Sequence, residues 1–145
     1  MPLSNSQRMK NITELIYYST GTGEAIMYLA LSSTLPNGDG TNVTEPSGNG
    51  YERISMKTNL IQGVGNNFPA SPTYDSQTDK YSITNQVDMY FKEATGSWGT
   101  LPYFAIFSSK TGGTMVAYGS LASAISPVNE TIPVLRAGNL TISED

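Results

Sequence analysis

The sequence predicts a mainly β fold: an antiparallel β-sandwich or jelly-roll-like domain behind a short N-terminal α-helix. Three observations carry that expectation. Fourteen Gly and eight Pro are spread along the whole chain, a spacing that suits many short strands joined by turns. Most apolar runs have strand length and end in turn dipeptides such as Asn37-Gly38 and Asn49-Gly50. Only at the start do apolar residues recur at spacings of three and four, at Met9, Ile12, Leu15 and Ile16.

The elements follow in order. Ser4 or Asn5 caps a helix over about residues 5 to 17, so residues 1–20 form a helical segment and 21–145 the β body of one domain. Ala25 to Leu31 is nearly all apolar and reads as a central strand buried on both faces. Pro36 to Gly50 holds four turn dipeptides and reads as a long loop, ordered or not. From Tyr51 to Lys57, Ile54 and Met56 share one face while Arg53, Ser55 and Lys57 share the exposed one. Residues 59–80 are polar and read as a surface excursion, a candidate contact element. Strands follow over Ser82 to Phe91, Tyr103 to Phe107, Met115 to Leu121, Ile132 to Arg136 and Leu140 to Ser143. Thr111-Gly112-Gly113 reads as a hairpin, and Ala137-Gly138 is expected to turn the last pair in the same way.

Composition excludes several function classes. The 145 residues contain no Cys and no His, which removes Ser-His-Asp triads, thiol nucleophiles, imidazole bases and ordinary structural zinc sites. A net charge of -4 with eight scattered basic residues argues against nucleic acid as a partner. No apolar run approaches the roughly 18 to 20 residues that span a bilayer, so no membrane partner is expected. The N terminus lacks the apolar core of a secretory signal. The expectation is synthesis in a cytoplasm without export by a cleavable signal.

Candidate sites are few. Asp39 and Glu45 lie in an oxygen-rich, glycine-punctuated stretch, but the spacing does not match a calcium loop and Asx turns account for it. The carboxylates Asp88, Glu93, Glu45 and Glu52 have no spacing that pairs any two as a glycosidase would require; solvated positions are expected, and no enzyme, metal or cofactor. Trp98, the single tryptophan, sits between glycines; closing one end of the core is favoured over stacking on a sugar or partner. Tyr74, Tyr81 and Tyr90, with Tyr17 and Tyr18, are expected at an exposed interface. Asn11, Asn42, Asn129 and Asn139 open Asn-x-Thr triplets that read as chance matches.

Several ordered segments together resemble a family of small bacteriophage virion proteins often labelled tail fibre proteins. They are Asp39-Gly40-Thr41, Thr44 through Arg53, Ala94 through Thr100, Thr111-Gly112-Gly113 followed by Ala117 through Leu121, and Ala137 through Ile142. The sequence departs from the family pattern around residues 66 to 80 and at Val128-Asn129-Glu130-Thr131, where relatives tend to have a Gly-Asp turn. The resemblance implies a non-enzymatic structural component of the virion with a β-sandwich body. Its partners would be other virion proteins, either the major capsid protein or tail proteins, and assembly into a homo-oligomer, with three-fold symmetry a natural choice. Capsid decoration, as a cement protein over shell junctions, is the leading expectation; a tail fibre module and a glycan-binding module are the alternatives. Contacts are expected at Met9, Ile12, Leu15, Ile16, Asp39, Glu45, Tyr74, Tyr81 and Trp98.

Overall fold

The computed structural model describes residues 27–55, 73–85 and 88–143. The expected helix, with Met9, Ile12, Leu15 and Ile16, lies outside the described residues, as does the stretch 59–72. The described residues are mainly β, with every strand pairing antiparallel.

Among the described residues, nine strands form three sheets. The largest has the order β2 (Ile54–Ser55), β1 (Tyr28–Ser32), β6 (Leu101–Phe107), β7 (Met115–Ile125). The second has the order β3 (Thr73–Asp75), β4 (Lys80–Thr84), β9 (Thr141–Ser143), and the third pairs β5 (Met89–Tyr90) with β8 (Val134–Leu135). Leu29 and Leu31 of β1, Phe104 and Ile106 of β6, Leu121, Met89, Leu135, Leu140 and Ile142 share one core, so all three sheets close on the same apolar centre. The other face of the large sheet buries Ala30, Ala105 and Phe107, with Val43 and Met115 packed against them. Burial on both faces is why β1 and β6 read as unbroken apolar runs.

The loop from Ser33 to Thr44 is ordered by its own polar groups. The buried Ser32 hydroxyl donates to the Thr34 carbonyl at 2.6 Å and accepts from the Thr44 amide at 2.9 Å. The Ser33 amide donates to the Thr44 carbonyl, and the Thr34 hydroxyl to the Asn42 carbonyl. These bonds pin Val43 on the sheet and resolve the loop as an ordered one.

Several expectations are corrected. Of the stretch 59–80 expected as an irregular excursion, residues 73–80 belong instead to the β3–β4 hairpin, with Asp79 in the left-handed region at φ 53°. Ser82 to Phe91 is not one strand: Asn85 is buried at the break, its Nδ2 donating to the Arg136 carbonyl and its Oδ1 accepting from the Gly138 and Leu140 amides. The turn at Ala137-Gly138 does not close a hairpin, because β8 pairs with β5 while β9 pairs with β4. Asp88 is not simply solvated: it accepts from the Ala137 amide at 2.9 Å and pairs with Arg136 at 3.1 Å, holding that turn.

Beyond β5 the third sheet continues irregularly. The Phe91 amide donates to the Pro133 carbonyl, Ala94 to Thr131 and Trp98 to Pro127. Between them, the turn at Val128 to Thr131 places Glu130 at φ 65°, a conformation that costs a side-chain-bearing residue roughly 1–2 kcal/mol. Glu130→Gly is expected to raise the denaturant midpoint, with a gain of about 0.5–1 kcal/mol after the added unfolded-chain entropy. Gly50→Ala should do the opposite: at φ 81° its Cβ would stand 2.7 Å from the Glu93 carbonyl oxygen. A loss of about 2 kcal/mol is expected, and equal midpoints for the two variants would refute the turn assignment.

Candidate functional site

The segments that carry the family resemblance converge in space. Thr44 through Arg53 lies against Ala94 through Thr100, and Arg53 reaches the 108–114 hairpin. At the centre, Arg53 binds Glu45 through both carboxylate oxygens, Nε to Oε1 at 3.0 Å and Nη2 to Oε2 at 2.9 Å. Its remaining Nη1 donates to the carbonyls of Ser109 at 2.9 Å and Gly112 at 2.8 Å. The guanidinium carbon lies 3.8 Å from the centre of the Phe107 ring, a stacked cation–π arrangement. The Arg53 side chain is only 9% exposed, which corrects its expected place on a solvated face. Two carboxylate bonds, two carbonyls and an aromatic face compensate for its desolvation.

Tyr51 extends this cluster inward. Its hydroxyl donates to Glu45 Oε1 at 2.6 Å and accepts from the Leu31 amide at 3.1 Å, which satisfies an outward-facing group of β1. Its ring meets Trp98 edge to face at 5.2 Å, and Trp98 meets Phe91 the same way at 6.1 Å. Trp98 is 6% exposed, and its Nε1 donates to the Asn49 carbonyl at 2.8 Å. Burial makes Trp98 a core residue, as the favoured reading expected, and removes it as a platform for a sugar ring. Asn49 in turn sits at φ 54°, its Nδ2 donating to the Ser97 carbonyl. A Cβ on Gly96 would stand 2.6 Å from Asn49 Oδ1, so a glycine is needed for this approach.

The other expected contact residues are scattered. Asp39 is exposed in the turn at the far end of the 33–44 loop, where the Thr41 hydroxyl and amide donate to its carboxylate and hold it below the ordinary range. Tyr74 is exposed on β3 and donates to Asp79. Tyr81 lies opposite Tyr74 with ring centres 4.9 Å apart, but is 6% exposed, which corrects its assignment to an exposed interface. As register partners the two rings share one face of the hairpin and pack on each other, and Tyr81 alone joins the core. Tyr90 is 54% exposed, and Val116, Tyr118, Val128 and Ile132 are also exposed; sequence reasoning did not single out these last four. Among the described residues, no three acidic side chains are grouped to hold a metal.

The cluster titrates at both ends of the pH range. Burial disfavours the Glu45 charge, but the Arg53 hydrogen bonds, the Tyr51 hydroxyl and the Arg53 charge outweigh it and leave the carboxyl below its ordinary 4.5. A depressed carboxylate contributes stability above the unfolded value that is lost as pH falls through the folded one. Burial, then the Glu45 hydrogen bond and charge, push the Tyr51 hydroxyl above its ordinary 10.0. A raised phenol contributes stability below that value that is lost as pH rises past it. Urea unfolding followed against pH should therefore show falling stability below about 4.5 and above about 10. Glu45→Gln should flatten the acid limb, and an unchanged acid slope would count against the pairing. Glu45→Ala, which strands the Arg53 charge, should cost about 2–4 kcal/mol, less than a fully buried pair because Glu45 is partly exposed.

Comparison with known proteins gives the cluster its context. A search of curated proteins finds no match. The family described as Podophage GP4 fiber I protein gp80 matches residues 3–143, which includes every segment of the buried cluster. The chain belongs to this phage fibre family and is a structural protein of the virion.

Proposed function

We propose that the protein is a tail-associated fibre component of the virion, non-enzymatic, working in several copies through contacts with other tail proteins. The family match over residues 3–143 carries this reading. The family is one of fibre proteins, which supports the tail over the shell and gives no particular support to capsid decoration, the leading expectation from sequence. The geometry agrees with a binding role: ordered loops and buried polar clusters present a fixed surface, and Glu45, Asp88 and Asp39 are each engaged by neighbours within the fold. In this reading the body is a sandwich or jelly-roll-like domain, and residues 1–20, with Met9, Ile12, Leu15 and Ile16, form a helical attachment to it or to a neighbouring subunit.

Electron microscopy of the intact particle, with this chain traced, tests the placement. Density at the tail is the expected outcome. Density distributed over the icosahedral shell would overturn the tail assignment and restore decoration.

A further inference from the structure

The large sheet ends in two unlike edges. Among the described residues β2 is two residues long, whereas β7 runs from Met115 to Ile125 and lies outermost on the other side. The Ser108 amide donates to the Thr114 carbonyl across the hairpin, so by the period of two along β6 the polar groups of Ile106 and Phe104 also face β7. Their partners, Ala117 and Gly119, return those bonds. The amides and carbonyls of Val116, Tyr118 and Ser120 therefore point away from the sheet.

Asn139 limits that free edge on one side. It accepts from the Ala122 amide through its carbonyl, accepts from the Ser123 amide through Oδ1, and donates to the Ser123 carbonyl. A register irregularity opposite Phe107 limits it on the other, while Ala117 to Ser120 keep regular register. What remains is a short edge from Val116 to Ser120, symmetric about Tyr118. Exposed edges are ordinarily blunted by charge or proline. Here residues 111–129 carry no charged side chain in a chain of net charge -4, and Pro127 lies beyond the strand. Val116 and Tyr118 are each 42% exposed.

We propose that a second copy of this chain pairs with this edge, the two β7 strands running antiparallel about a two-fold axis at Tyr118. Tyr118 then faces Tyr118, and Val116 of each copy faces Ser120 of the other, so each outward amide finds a carbonyl. The arrangement is self-complementary because the free segment is bounded symmetrically, and the missing charge removes the repulsion that two acidic copies would otherwise meet. The proposal rests on the several-copy part of the preceding reading and not on where in the virion the protein sits.

The test uses the isolated full chain, so its failure is distinct from a failure of tail placement. Sedimentation should show a concentration-dependent dimer, with the amides of Val116, Tyr118 and Ser120 protected from hydrogen exchange in step with it. A Val116→Lys, Ser120→Lys double variant sets Lys against Lys across the axis and should weaken association by about tenfold or more. Val116→Lys with Ser120→Glu sets Lys against Glu and should recover it, a rescue that only this register gives. Circular dichroism of each variant confirms folding. A wild-type chain that stays monomeric, a trimer or dimer whose three amides exchange freely, or protection appearing only when another virion protein is added would each overturn the proposal.

Discussion

The paired hydrogen bonds between Glu45 and Arg53 are the constraint on which the rest of this structure depends. Among the described residues β2 holds only Ile54 and Ser55, so the ladder seen there does little by itself to fix the chain from Thr44 to Ser55. Side chains supply what the ladder lacks. Arg53 joins that segment to the 108–114 hairpin, and through Glu45 and Tyr51 it reaches the amide of Leu31 in the central strand. A buried ion pair gains little net energy over an apolar replacement. Its consequence is positional, because a charged fork with four oxygen partners tolerates few other placements of the chain. Tyr51 held in this way becomes the wall against which Trp98 closes the core.

Much of the β architecture was legible because burial leaves a pattern. Tyr28–Ser32 and Leu101–Phe107 are covered on both faces and read as continuous apolar runs, while Met89 and Phe91 alternate with the exposed Tyr90. Periodicity reports which face is buried, not which strand is the partner. That is why β8 and β9 looked like a hairpin: Ala137-Gly138 does reverse the chain, but Asn85 and Asp88 hold the turn so that its two arms enter different sheets. The β3–β4 hairpin was hidden for a related reason. Its residues are polar apart from Tyr74, Tyr81 and Ile83, and the two tyrosines spend their apolar surface on each other, Tyr81 buried and Tyr74 exposed.

The buried cluster was half legible. Each of its segments carries part of the resemblance, and each alone reads as turn chemistry. Arg53 on an alternating strand looks solvated, because its carbonyl partners at Ser109 and Gly112 lie far along the sequence and backbone oxygens leave no mark in it. Glycine was the more informative signal. Gly50 and Gly96 stand where a Cβ would meet the Glu93 carbonyl and the Asn49 side chain, so these two glycines record the close approach of Thr44–Arg53 and the segment around Ala94–Thr100. The segments that carry the resemblance are thus in large part folding segments, and their residues are occupied in holding the protein together.

That division has a consequence for how such a protein binds. The loops nearest the sheet are fastened by buried serine, asparagine and arginine side chains, so their ordering is accomplished during folding and is not charged again on association. Adhesion then falls to what the fold leaves unused: exposed aromatic and aliphatic side chains, and backbone groups that no internal strand has taken. Such contacts are weak singly and additive in many copies, which suits a component whose work is done as part of an assembly. Among the described residues the buried polar side chains serve the protein's own architecture, and residues 111–129 offer neighbours a stretch without charged side chains, where geometry more than charge decides what fits.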